Sequence, residues 1–447
     1  METSTELLLV LLFAIGLIVF LIMKVHLHAF LALIISCMFV GFGTGMPLEK
    51  IAASIQAGMG GTLGFLATIL GLGTILGKML EVSGGAERLA RTMIRVLGEK
   101  NAQWAMIIVA FIAGIPVFFQ VGFVILLPLM FSVAMETGLS LVAIGVPVAV
   151  TLMTVHCMVP PHPAAMAIAL SLHADVGKVI LYGLLVGLPA AAIAGPIFIN
   201  HFCSKKIEIK PPTGSVKTER TPDEKLPPFG LTLITILLPL VVMVSKTLIE
   251  LTVPKDAALM PIVSFVGNPI TAMLLSVFVA YYTLGFARGF SMKQLTGFTE
   301  QSFAPVATIL LVIGGGGAFN QMLMDSGLGK EIAKVLTSLQ MSPLIMAWVV
   351  AIIMRFSVGS ATVAMMTAAG IVMPVLEANP GLDPAYIAIA IGAGAIGFSH
   401  VSDSGFWIVK EYFGMSLPDM FRTYTLGTVV AAVIGLAGVM VLSTVVG

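Results

Sequence analysis

Four short stretches of this chain place glycine or proline beside polar side chains inside otherwise apolar sequence: GIPVFFQVG (114 to 122), TVHCMVPPHPA (154 to 164), VGSATVA (358 to 364) and FSHVSDSGFW (398 to 407). Lipid tolerates broken helix only where protein or a water-filled cavity satisfies the freed N–H and C=O groups, so such clusters point to a cavity within the membrane. The plainer reading is that glycine and proline kink many transmembrane helices. Their occurrence in matched pairs favours a site.

Each cluster offers specific chemistry. Gly359, Ser360 and Thr362 look like the tip of a half-helix, whose N-terminus presents unpaired N–H groups and suits an anion without placing a full charge in lipid. Arg355 precedes that tip by one turn, and a guanidinium left facing lipid would cost about 2.5 to 3.5 kcal/mol. It is expected to face a carboxylate or water; snorkelling near a segment end is the alternative. Asp403 is the one carboxylate well inside the C-terminal segments, and His400 lies three residues before it. A surviving helical turn would put both on one face, which makes them the first candidates for handling a proton; a structural hydrogen-bond pair is the bland reading. His156 and His162 flank Pro160 and Pro161 in the matching place of the other half, and histidine titrates near neutral pH. We assign His156 to substrate contact and His162 to proton coupling, against the alternative that each is a satisfied core histidine. Gln120, with Gly122 beside it, brings amide donors and an acceptor to the first cluster, and Ser399, Ser402 and Ser404 add hydroxyls to the last.

The elements that must hold these residues repeat. Six apolar segments run at roughly 7 to 23, 27 to 46, 60 to 80, 104 to 133, 141 to 170 and 179 to 200. Six more follow at roughly 229 to 249, 261 to 286, 303 to 324, 342 to 376, 385 to 409 and 423 to 446. The letters repeat too: KMLEVSGGAERLA (78 to 90) resembles QMLMDSGLGKEIA (321 to 333). Such duplication suits a secondary carrier with its site between the repeats. The expected organisation is an N-terminal repeat over 1–203, a linker over 204–228 and a C-terminal repeat over 229–447. With 58% hydrophobic and 10% charged residues the chain has membrane composition, and its net charge of +1 gives no footprint for nucleic acid. Cys37, Cys157 and Cys203 show no paired spacing, and the first apolar run reads as an uncleaved helix. The run Gly314 to Gly317 lacks the strand and Lys-Ser/Thr of a phosphate loop, so it is expected to serve close helix packing.

The fourth segment of each half decides the topology. If all twelve segments cross, the cations around Arg88 lie opposite those of the linker, against the positive-inside rule. If 104 to 133 and 342 to 376 are re-entrant hairpins, each half crosses five times and the second is inverted. Fifteen Lys and Arg then lie on the linker side, against six opposite (Lys50, Lys178, Lys246, Lys255, Lys330 and Lys334). Lys78 and Arg355 fall inside apolar segments. The expected fold is therefore an all-α polytopic membrane protein of two inverted repeats, each with five crossings and one hairpin, with helices broken at the midplane. The linker is expected to be cytoplasmic and both termini periplasmic.

GMGGTLGFLA (58 to 67), GLGTILGKMLEVSGGAERLA (71 to 90), VHCMVPPHPA (155 to 164), GSATVA (359 to 364) and SHVSDSGFWIVKEYFG (399 to 414) resemble the gluconate:proton symporter (GntP) family nearly end to end. The resemblance implies proton-coupled uptake of gluconate or a related sugar acid across the bacterial inner membrane, with D-serine or another small carboxylate as the alternative within the family. It departs at Gln120, where several family members carry a carboxylate; if that acid binds protons in them, coupling here rests on other groups or is absent. The partners implied are a small organic anion, a proton and the bilayer, with no cofactor, and self-association into a homo-oligomer is left open. An intramembrane metal enzyme built on His156, His162, His400 and Asp403 is the alternative from another class, but no HExxH spacing supports it.

Overall fold

The computed structural model describes residues 4–203, 207, 209, 222–254, 256–328, 341–401 and 403–446. The first half holds α1 (Ser4–Met23), α2 (Ala29–Gly43), α3 (Leu48–Val82), α4 (Gly85–Leu97), α5 (Ala102–Gly114), α6 (Phe119–Thr137), α7 (Leu141–Met158), α8 (Pro163–Ser171) and α9 (Val176–Ala192, prolonged by π-turns to Cys203). The second holds α10 (Phe229–Thr252), α11 (Met260–Val266), α12 (Pro269–Ala280), α13 (Met292–Asp325), α14 (Pro343–Val358), α15 (Ala361–Ala378), α16 (Pro384–Ile396), α17 (Ser404–Phe413), α18 (Leu417–Met420) and α19 (Leu426–Val445). Every regular element among the described residues is a helix, and nine helical runs among them are long and apolar enough to cross a membrane. The segments read from the sequence recur in the expected order.

The third span of each half is its longest. At 35 and 34 residues, α3 and α13 are about 50 Å long, well beyond a bilayer's hydrocarbon thickness of about 30 Å, so both must tilt or protrude. They pack on each other through glycine: a Cβ at Gly58 would lie 2.5 Å from the Gly317 carbonyl oxygen. The run Gly314 to Gly317 packs on every side, as expected. Gly314 and Gly317 abut Leu63 and Thr62 of α3, Gly315 abuts Leu33 of α2, and Gly316 abuts Met366 of α15.

Two elements lie deepest in the structure. Every residue of α7, and every residue of α16 after Pro384, is buried, which fits helices apolar on all faces, and they cross where a Cβ at Gly392 would collide with the Cys157 carbonyl oxygen. They enter from different places. α7 starts beside the linker, with Leu141 N–H donating to Ile209 O at 2.9 Å, whereas α16 starts at Asp383, whose carboxylate accepts from Lys178 Nζ at 2.7 Å.

α4 is the one strongly amphipathic helix among the described residues of the first half. Leu89 and Ala90 face inward, while Arg88, Arg91 and Arg95 share the outer face and converge on Asp223 at the end of the linker, at 3.3, 2.8 and 3.2 Å. Arg88 Nε also donates to Pro227 O at 2.8 Å. The expectation for Lys205, Lys206, Lys210, Lys217 and Arg220 lies outside the described residues.

Candidate functional site

Pro116 brings no N–H to the chain between α5 and α6, so the fourth segment breaks at Ile115–Phe118 and turns back on itself. Gly114 and Gly122, one on each arm, let the hairpin lie against Leu152 of α7: a Cβ on the one or the other would lie 3.0 or 3.2 Å from that leucine's Cδ2. Gly122 therefore packs the hairpin and does not face the site. Gln120 does, from the first turn of α6, where no side chain caps the helix.

The second break lies between α7 and α8, where Pro160 and Pro161 remove two consecutive donors. His162, fully buried, caps α8 by accepting from Ala164 N–H at its Nδ1, 3.4 Å away. Its ring lies 4.4 Å from that of His156, and the edge of Phe118 in the first hairpin meets it at 5.9 Å. His156 Nε2 reaches Thr362 Oγ1 at 3.3 Å, while its Nδ1 has no hydrogen-bond partner among the described residues.

The second hairpin turns at Gly359, whose φ of +81° favours glycine. Ser360 then caps α15, accepting from Val363 N–H at 3.4 Å, so the expected half-helix tip is present. Arg355, 0% exposed, sits in the last turn of α14 and donates to the Gly359 carbonyl, one of the helix's orphan acceptors. Its Nη2 also donates to Asp403 Oδ2 at 2.5 Å.

Asp403 holds the fourth break together. Its Oδ2 accepts from Ser399 Oγ as well as from Arg355, and its Oδ1 accepts from Gly405 N–H at 2.8 Å, capping α17. The backbone between α16 and α17 is fastened separately, with Thr425 Oγ1 donating to Ser399 O at 2.6 Å and Ser399 N–H donating to Thr428 Oγ1 at 3.3 Å. Ser402 lies outside the described residues.

The expected pairing of His400 with Asp403 across a helical turn is replaced by another arrangement. The described residues of 397–403 are not helical, so the one-turn spacing does not survive; His400 Nε2 lies 2.7 Å from Phe356 O, and Asp403 turns to Arg355. Arg355 faces a carboxylate, as expected of an intramembrane cation, but that carboxylate is the protein's own. Sequence reasoning passed over Thr425 and Thr428, two hydroxyls in the apolar sixth segment that carry the fourth break. Polar residues at that depth were the available signal.

All four clusters meet. Gln120 Nε2 donates to Ser404 Oγ at 3.4 Å, joining the first hairpin to the fourth break; Phe118 meets His162; His156 meets Thr362; and Arg355 and Phe356 meet Asp403 and His400. The N-termini of α6, α8, α15 and α17 thus gather in one region, where their unpaired N–H groups and partial positive charges favour an anion. The Arg355–Asp403 pair adds no net charge. Hydroxyls of Ser360, Thr362 and Ser404 and the Gln120 amide can meet both donors and acceptors.

The chain as a whole has counterparts among known proteins. The GntP family permease profile matches residues 6–445. A gluconate permease of Pseudomonas aeruginosa is 46% identical over 433 residues, 96% of each chain. The D-serine transporter DsdX of Escherichia coli is 49% identical over 435 residues, 97% of each chain. In structure, the YdaH transporter of Alcanivorax borkumensis superposes with a TM-score of 0.69 over 93% of this chain and 98% of its own; at 14% identity that likeness concerns the fold. With a family profile and close relatives spanning nearly its whole length, this chain is a membrane transporter belonging to the GntP permease family.

Proposed function

We propose that this transporter imports gluconate or a related sugar acid together with a proton across the bacterial inner membrane. The observation that carries the proposal is the convergence of four helix N-termini on a region whose buried cation, Arg355, is already neutralised by Asp403. Such a site attracts an anion, yet cannot hold one beside Arg355 while Asp403 is ionised without burying an excess negative charge. A proton on Asp403 removes that excess. Arg355 then loses its partner, and the substrate carboxylate supplies a new one. Proton and anion are thereby required together, one of each, and the loaded site is as neutral as the empty one.

The same logic distributes the remaining roles. Gln120, Ser360, Thr362, Ser399 and Ser404 offer hydroxyl and amide partners to the polyol chain, with His156 contributing its Nδ1, which has no partner among the described residues. His400 lies one contact from the Arg355 helix through Phe356 O and suits proton delivery to Asp403. His162 fits that work less well than its residue type suggests, because protonating Nδ1 would break the cap it provides to α8.

Import with two opposed repeats, 1–203 and 229–447, requires the hairpins to open to opposite faces. The start of α7 beside residue 209 and of α16 beside Lys178 supports that reading, with the 204–228 linker cytoplasmic and both termini periplasmic. D-serine is the second reading, favoured by the 49% identity to DsdX; its ammonium would need an acceptor such as Asp403. Counterflow separates the two. Proteoliposomes preloaded with gluconate should concentrate labelled gluconate transiently, and preloading with D-serine should not; the reverse pattern would move the protein to the amino-acid reading.

A further inference from the structure

Lys78 and Arg355 both lie inside apolar segments; Arg355 is accounted for and Lys78 is not. We propose that Lys78, with Glu81, forms a transit point for the substrate carboxylate on the linker-side route to the first hairpin tip; the proposal rests on the anion-carrier reading above.

Lys78 lies one turn before the end of α3, and its Nζ is 3.0 Å from Glu81 Oε1, with the two side chains 20% and 36% exposed. An i,i+3 pair on an open helix face would explain that distance alone. The surroundings are more particular. The preceding residue, Gly77, touches the hairpin tip: a Cβ there would lie 2.7 Å from Pro116 O, so α3 reaches the tip only because that residue is glycine. Beside this contact lies a chamber of about 90 Å³ lined by Lys78, Glu81, Phe118, Thr74, Gln301 and Ser302. A larger cleft of about 610 Å³, lined by Arg91, Arg95, Ser132 and Asp223, has Glu81 in its wall as well. Glu81 therefore lines both the wide vestibule at the linker end and the chamber against the tip of the first hairpin, with Lys78 beside it in the chamber.

The chemistry suits a hydroxylated anion in passage. Thr74 and Ser302 donate their hydroxyl protons to Gly71 O and Thr299 O, leaving their oxygens as acceptors, and Gln301 supplies both kinds of partner. A carboxylate arriving at Lys78 replaces Glu81 as its counter-ion. Competition from Glu81 keeps the hold weak, as passage requires.

Inverted and right-side-out membrane vesicles carrying the full-length protein present its two faces separately. With labelled gluconate or D-serine, whichever the unmodified protein carries, Lys78→Gln should raise KM at the linker-side face about fivefold, the upper worth of a partly exposed ion pair. KM at the opposite face should not change, and Lys78→Arg should restore the original value. An unchanged KM, or an equal rise at both faces, overturns the proposal. A second readout needs no substrate: Thr74→Cys should react with a membrane-impermeant thiol reagent from the linker-side face, against a low background because all three native cysteines are buried. Failure to react from that face overturns the route. Absence of uptake of either solute by the unmodified protein would count against the carrier's proposed substrates and leave the thiol result to decide the route.

Discussion

Replacing Asp403 by Asn tests the heart of the site because it changes charge and little else. Asparagine caps a helix as well as aspartate does, so its amide oxygen can still accept from Gly405 N–H, and the side-chain volume is nearly conserved. What disappears is the negative charge 2.5 Å from a guanidinium that is 0% exposed. Removing one partner of a buried pair costs about 3 to 5 kcal/mol, since the other is left buried and uncompensated. Arg355→Gln should cost a similar amount for the mirrored reason. The double variant buries two neutral amides and should cost no more than either single variant, giving a coupling energy of at least about 3 kcal/mol in the double-mutant cycle. Unfolding in mixed micelles followed by tryptophan fluorescence reads this directly, because Trp407 lies one turn after Asp403 and Trp348 is on the same helix as Arg355. Additivity of the two single losses within about 0.5 kcal/mol would show that the pair is not the unit described here.

Other perturbations probe the surrounding frame. Gly392→Ala drives a methyl group against the Cys157 backbone carbonyl, which no rotamer change can relieve; a loss of about 1 to 3 kcal/mol should appear as a lowered thermal midpoint, and an unchanged midpoint would contradict the crossing of α7 and α16. Gln120→Ala removes the bridge to Ser404 and should raise the substrate KM about fivefold, the worth of one neutral hydrogen bond, with normal yield of folded protein; an unchanged KM would remove Gln120 from the site. Ser360→Trp should abolish substrate binding while leaving membrane insertion intact, and normal affinity would place the α15 tip elsewhere. A cysteine introduced between 211 and 225 should resist an impermeant reagent applied to intact cells; ready labelling would reverse the orientation.

Much of this site was readable as letters. Glycine and proline report broken backbone directly, so GIPVFFQVG, TVHCMVPPHPA, VGSATVA and FSHVSDSGFW marked the breaks without any contact information. Arg355 in an apolar segment likewise demanded a partner. The identity of that partner was harder, because Arg355 and Asp403 are 48 residues apart and belong to different segments. His400, only three residues from Asp403, offered a more local pairing that would have required a helix the sequence SHVSDSG does not sustain. The convergence of Arg88, Arg91 and Arg95 on Asp223 was hidden for a related reason: periodicity puts three arginines on one face, but says nothing of which distant acid they hold. The role of Gly122 also depended on a neighbour, Leu152, that only packing identifies.

The coupling of anion to proton is the central claim, and uptake under an imposed gradient tests it most directly. Proteoliposomes holding the purified protein, acid outside and alkaline inside, should accumulate labelled gluconate above equilibrium, and a protonophore should abolish that accumulation. Asp403→Asn should remove the dependence on the gradient. Uptake that ignores both the gradient and the Asp403 substitution would contradict the account.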